Sequence, residues 1–93
     1  MTTTSDLFTK DPQAVLDYEF DWSAWLDVGE TITTSTVSVP TGIVLDSHSE
    51  LGGVVIAWLS GGTAGVLYRV VSHVVTSSGR QDDRTIRVSV QER

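Results

Sequence analysis

Between positions 16 and 22, Leu16, Tyr18, Phe20 and Trp22 alternate with Asp17, Glu19 and Asp21. Successive side chains of an extended chain point to opposite faces, so this period of two predicts a strand with one face buried and the other in water. The alternation stops at Ser23-Ala24-Trp25-Leu26, where Trp22, Trp25 and Leu26 stand at i, i+3 and i+4. One short helical turn at Ser23 to Leu26 brings all three to one side, as a plug over the end of a core. Thr31 to Val39 is a β-branched run that stops at Pro40-Thr41-Gly42, residues of turn chemistry, and predicts a second strand. Ile43-Val44-Leu45 predicts a short strand ahead of a polar loop, Asp46 to Glu50. Val54 to Leu59, uninterrupted and apolar, predicts a central strand closed by Ser60-Gly61-Gly62. Leu67 to Thr76 alternates weakly, with Tyr68, Val70, Ser72 and Val74 on one side. A polar loop, Ser77 to Arg84, then precedes a last strand in which Ile86, Val88 and Val90 alternate with Arg87, Ser89 and Gln91.

Short strands separated by turn signals, with almost no helix, predict an all-β fold: an immunoglobulin-like β-sandwich of about seven short antiparallel strands. A small closed barrel is the competing architecture, since closure also removes exposed strand edges. Tyr68 follows a Gly-rich turn at the start of the penultimate strand, the position of a tyrosine corner, whose hydroxyl bonds back to loop backbone. With 93 residues there is room for one core. The expected division is a flexible N-terminal arm over residues 1–11, ordering on binding, and one sandwich domain over residues 12–93.

Composition narrows the function. No cysteine is present, which excludes a disulfide framework, a zinc-thiolate site and a thiol nucleophile. The formal charge of −6 argues against general affinity for nucleic acid or anionic membranes. Its distribution is uneven. Residues 1–50 carry nine acids against Lys10, a balance of −8, and residues 51–93 carry three acids against five arginines, a balance of +2. If the two sets lie on different faces, head-to-tail or layered assembly with copies or partners follows; the plainer expectation is that the C-terminal strand pairs with the acids in cis. The polar N-terminus lacks the apolar segment of a secretory signal, and the longest apolar stretch, Gly52 to Leu59, is far shorter than the ~20 residues of a membrane-spanning helix. Synthesis in a cytoplasm and no membrane partner are expected.

Residues that carry chemistry are few. Asp17, Glu19 and Asp21 lie ~7 Å apart on one strand face, too open to share a proton, and read as a solvated surface. As a calcium loop the stretch fails, because Trp22 stands where glycine is required. His48 and His73 share no ligand spacing. Asp46-Ser47-His48 are adjacent and cannot reach triad geometry, and the Gly-rich Ser60 to Gly65 lies between strands, away from any phosphate-binding helix. No catalytic residue, metal site or cofactor is expected. Trp22 and Trp58 are expected in the core, whereas Trp25 is the aromatic expected to be partly exposed, a contact for a protein partner or a glycan. Arg80, Arg84, Arg87 and Arg93 are interleaved with Asp82, Asp83 and Glu92 and read as self-paired charge, which excludes a phosphate-tracking stripe.

Three stretches carry a resemblance: Lys10-Asp11-Pro12-Gln13-Ala14-Val15-Leu16-Asp17-Tyr18-Glu19-Phe20-Asp21-Trp22-Ser23-Ala24-Trp25-Leu26, then Trp58-Leu59-Ser60-Gly61-Gly62-Thr63-Ala64-Gly65, then Gly79-Arg80-Gln81-Asp82-Asp83-Arg84-Thr85-Ile86. Together and in this order they resemble small virion-associated proteins of tailed bacteriophages and prophages, of the fibre-tail adaptor type. Thr36-Val37-Ser38-Val39 departs from that pattern, which has an aromatic there, so no contact is carried over to this strand. The resemblance implies a non-enzymatic structural protein in a virion, at the tail or head surface. Its expected partners are tail or fibre components, with a homo-oligomer in the assembled particle. A capsid decoration domain and a carbohydrate-binding module built on Trp25 are the alternative functions.

Overall fold

The computed structural model describes residues 6–92, and the part of the expected arm before residue 6 lies outside them. Among the described residues there are seven strands and no helix: β1 (Asp6–Lys10), β2 (Leu16–Asp21), β3 (Ile32–Ser38), β4 (Ile43–Leu51), β5 (Val54–Gly61), β6 (Leu67–Thr76) and β7 (Gln81–Val90). They form two sheets, one ordered β1-β7-β6-β3 and the other β2-β5-β4. Two open sheets exclude the closed barrel. The orders correspond to an immunoglobulin-like sandwich, with β7, β6 and β3 in one layer and β2, β5 and β4 in the other.

Each layer turns one face inward. Tyr18 and Phe20 from β2, Val55, Ala57 and Leu59 from β5, Tyr68, Val70 and Val74 from β6, and Ile86, Val88 and Val90 from β7 are buried in one cluster. The inward positions of β6 are those its alternation predicts, including Ser72, which is fully buried. Ser72 is tolerated there because its hydroxyl accepts a hydrogen bond from Trp22 Nε1 at 3.2 Å, satisfying both polar atoms. Trp22 itself is fully buried. Behind it the chain makes the expected turn, the Trp22 carbonyl accepting from the N–H groups of Trp25 and Leu26.

Four features differ from the sequence-based expectation. Residues 6–10, expected within the arm, form β1, which pairs parallel to β7 in an otherwise antiparallel fold. Its end is anchored by Lys10, whose buried ammonium donates to the Asp11 carbonyl at 2.9 Å and the Gly61 carbonyl at 2.7 Å. β4 continues through the expected loop at Asp46 to Glu50, because its edge position exposes most of its side chains and imposes no apolar period. β7 begins at Gln81, so the loop before it is short; its polar first half has backbone partners on β6 from Val75 to Ser72. The fourth is Trp58, 42% exposed and not in the core. Val55, Ala57 and Leu59 take the inward positions of β5, so the intervening Trp58 must point outward.

Candidate interaction surfaces

The outward face of the β2-β5-β4 sheet is set by register. Asp17, Glu19 and Asp21 stand opposite Trp58, Ile56 and Val54 of the central strand. On its other side the same three residues face Ser47, Ser49 and Leu51. Cross-strand neighbours share a face, so an apolar row runs down the middle with an acidic row on one flank and small hydroxyls on the other. Leu51 and Val44 add further exposed apolar surface on β4.

The outward face of the other sheet is different in kind. Arg69 of β6 stands opposite Arg87 of β7, and Arg87 is in turn opposite Leu7 of β1. Leu7 and Leu67 are half exposed beside them. Farther along, His73 Nδ1 contacts Asp83 Oδ1 at 2.5 Å.

Arg80 and Arg84, expected to pair with the interleaved Asp82, Asp83 and Glu92, instead reach into the N-terminal half. Arg80 grips Glu30 with two nitrogens, Nε donating to Oε2 at 3.0 Å and Nη2 to Oε1. The Glu30 side chain is 2% exposed, and it also accepts from the Thr76 hydroxyl at 2.5 Å, the Ser78 hydroxyl at 2.7 Å and the Asp27 N–H at 2.9 Å. The Arg80 guanidinium, followed by the Thr76 hydroxyl and the Asp27 N–H, holds this carboxyl well below the usual carboxylate range. Arg80 also lies 4.1 Å over the Trp25 ring and donates to the Trp25 carbonyl at 3.1 Å. Trp25 is half-buried, its other neighbour being Trp22 in an edge-to-face contact at 5.1 Å. Arg84 covers the Trp22 ring at 4.2 Å and donates to the Asp21 carbonyl. These contacts clamp the Trp22–Trp25 turn onto the end of the sandwich.

Tyr68 is buried at the corner between β5 and β6, and its hydroxyl accepts from the Thr63 N–H at 2.9 Å. Glycines make room for it: a side-chain carbon on Gly42 would meet the Tyr68 hydroxyl at 3.0 Å. A depression of about 310 Å³ is bordered by Leu26, Ile32, Gly53, Glu30 and Glu50. Both carboxylates there are already used, Glu30 by Arg80 and Glu50 by the Gly53 N–H at 2.9 Å. Among the described residues no three histidine or acidic side chains gather as a metal site. His48 is exposed on β4, and among the described residues no helix is long and apolar enough to cross a membrane. The two outer sheet faces differ in composition: an apolar row beside acids on one, and Arg69, Arg87, His73 and Asp83 with leucine on the other.

The sequence reading missed Trp58 as a surface residue and Arg80 as the partner of Glu30. Only the register of an apolar run could have revealed the first, and pairing over fifty positions leaves no local trace. A comparison with curated proteins finds no match. A family model described as podophage GP4 fiber-tail adaptor protein gp77 matches residues 10–89.

Proposed function

The chain belongs to the podophage GP4 fiber-tail adaptor family, and from that membership we propose that it joins tail and fibre by binding a tail protein and a fibre protein at once, without catalysis. The observation that carries this reading is the extent of the family match, which runs from the end of β1 almost to the end of β7 and so takes in both sheets and both outer faces. An adaptor needs separate surfaces for separate neighbours, and this sandwich presents two faces of unlike composition.

Its edges supply a further means of joining. Among the four edge strands, β3 has no charged residue and no proline, whereas β2, β4 and β1 all carry charge. An edge without such protection can accept a neighbour's strand through backbone hydrogen bonds. The partner contact expected of Trp25 passes in this proposal to Trp58, because Arg80 is stacked on the Trp25 ring while Trp58 stands on an open sheet face.

Immunogold labelling of intact particles tests the proposal. Label at the tail, together with fibreless tails in particles made without this protein, is the expected result. Label over the head would replace the adaptor reading with capsid decoration, and unlabelled particles would remove the virion role.

A further inference from the structure

Two of the three tryptophans already carry an arginine. The Arg80 guanidinium lies 4.1 Å from the centre of the Trp25 ring, and the Arg84 guanidinium 4.2 Å from that of Trp22. Each guanidinium also donates to oxygen nearby, Arg80 to Glu30 and the Trp25 carbonyl, Arg84 to the Asp21 carbonyl. An electron-rich ring face and an oxygen acceptor together hold a planar, weakly hydrated cation. Trp58 offers the same two components without the cation. It is 42% exposed on the outer side of the central strand β5. Asp17 stands directly opposite it on β2, and Glu19 is its diagonal neighbour. Both carboxylates are exposed, and among the described residues neither has a hydrogen-bond or ion-pair partner.

The described cations of the chain are placed elsewhere. Lys10 is buried against the Asp11 and Gly61 carbonyls, Arg80 and Arg84 are stacked on the other two tryptophans, and Arg69 and Arg87 belong to the other sheet. Two further acids border the same face, Asp21 and Asp46, and their carboxylates accept from the hydroxyls of Ser23 and Ser60, which leave the negative charge in place. We infer that this face receives an arginine of a protein partner, its guanidinium flat on the Trp58 ring and its N–H groups donating to Asp17 or Glu19, with an apolar side chain of the partner resting on Ile56 and Val54. The sign of the charge selects a cation, and the flat ring selects a guanidinium over an ammonium. Half-buried Ile56 and Val54 select the apolar flank. The inference rests on the adaptor reading and gives one of its two neighbours a chemistry: the one seated here is basic.

Titration of the purified full chain with two short peptides tests it, one alternating arginine and leucine, the other carrying citrulline, a neutral isostere, in place of each arginine. The arginine peptide should bind about tenfold more tightly, with affinity falling as salt is raised. Trp58→Leu leaves every charge in place and should weaken its binding about threefold, and Asp17→Asn/Glu19→Gln should weaken it about fivefold. Asp82→Asn/Glu92→Gln removes the same charge away from the face and should keep affinity within about twofold of the wild type. Melting temperatures establish that each variant is folded. Absence of binding overturns the inference, as does equal binding of the citrulline peptide, which would leave only an apolar patch. Equal losses in the two acid-neutralised variants would reduce the effect to overall acidity and overturn it as well. Self-association of the chain alone that Trp58→Leu abolishes would give the face to a second copy, with the same consequence. The two readings fail separately: a chain that labels tails but ignores the arginine peptide refutes only this site, and a chain that binds the peptide but is absent from tails refutes only the adaptor role.

Discussion

Glu30 shows how a single side chain can tie together distant parts of the sequence. Its carboxylate receives donors from Arg80, Thr76, Ser78 and Asp27, which join the segment after the Trp25 turn to the β6–β7 connection. Because these donors favour the charged form, the folded-state pKa lies below the ordinary 4.5. The stability this provides is complete above that ordinary value and is lost as pH falls toward the folded pKa. Melting curves recorded from neutral pH down through the carboxylate range should therefore fall steeply on the acid side. In Glu30→Gln the starting stability should be lower and the acid fall shallower. Equal slopes in the two proteins would show that Glu30 does not govern acid unfolding.

The strands owe their placement to alternation and their joins to glycine. At Gly62 the backbone has φ of +96°, and an added side-chain carbon would lie 2.6 Å from Val90 Cγ2. Gly65 has φ of +89° with open space around it. Both substitutions to alanine incur the left-handed backbone penalty, and Gly62→Ala also incurs a collision with the core. Gly65→Ala is expected to cost about 1 kcal/mol and Gly62→Ala roughly 2–4 kcal/mol by urea denaturation. Equal losses would mean that β7 gives way at Val90 and that the β5–β6 corner is looser than its packing implies. Alternation was readable wherever one face is buried, as in β2, β6 and the second half of β7. It was not readable in β4, where an edge strand can be polar throughout, nor in β5, where an unbroken apolar run does not say which side is in.

In the assembled sandwich β1 has a larger role than a loose arm. It covers one side of β7, its Phe8 ring meets Tyr18 edge-to-face at 5.1 Å, and Lys10 ties it to the end of β5. Burial pushes the Lys10 ammonium below its usual range, with Asp11 and Asp46 pulling it partly back. A chain begun at Asp11 should lose at least about 2 kcal/mol, read as a lower denaturant midpoint, because it uncovers Phe8's contact and the edge of β7. An unchanged midpoint would return residues 6–10 to the status of a dispensable arm.

Local pattern was enough for the all-β class, the Trp22–Trp25 turn, the bounds of β6 and the identity of most inward residues. Burial acts on each position separately and leaves its period in the sequence. The resemblance of three short stretches to fibre-tail adaptors was also legible, and it agrees with the family match. Pairing between distant residues was not legible. Arg80 finding Glu30, Lys10 reaching Gly61 and Trp58 facing outward opposite Asp17 all depend on register and on the stacking of two sheets. The long-range partners of a side chain are decided when strands choose neighbours, and each choice is made by the whole core at once.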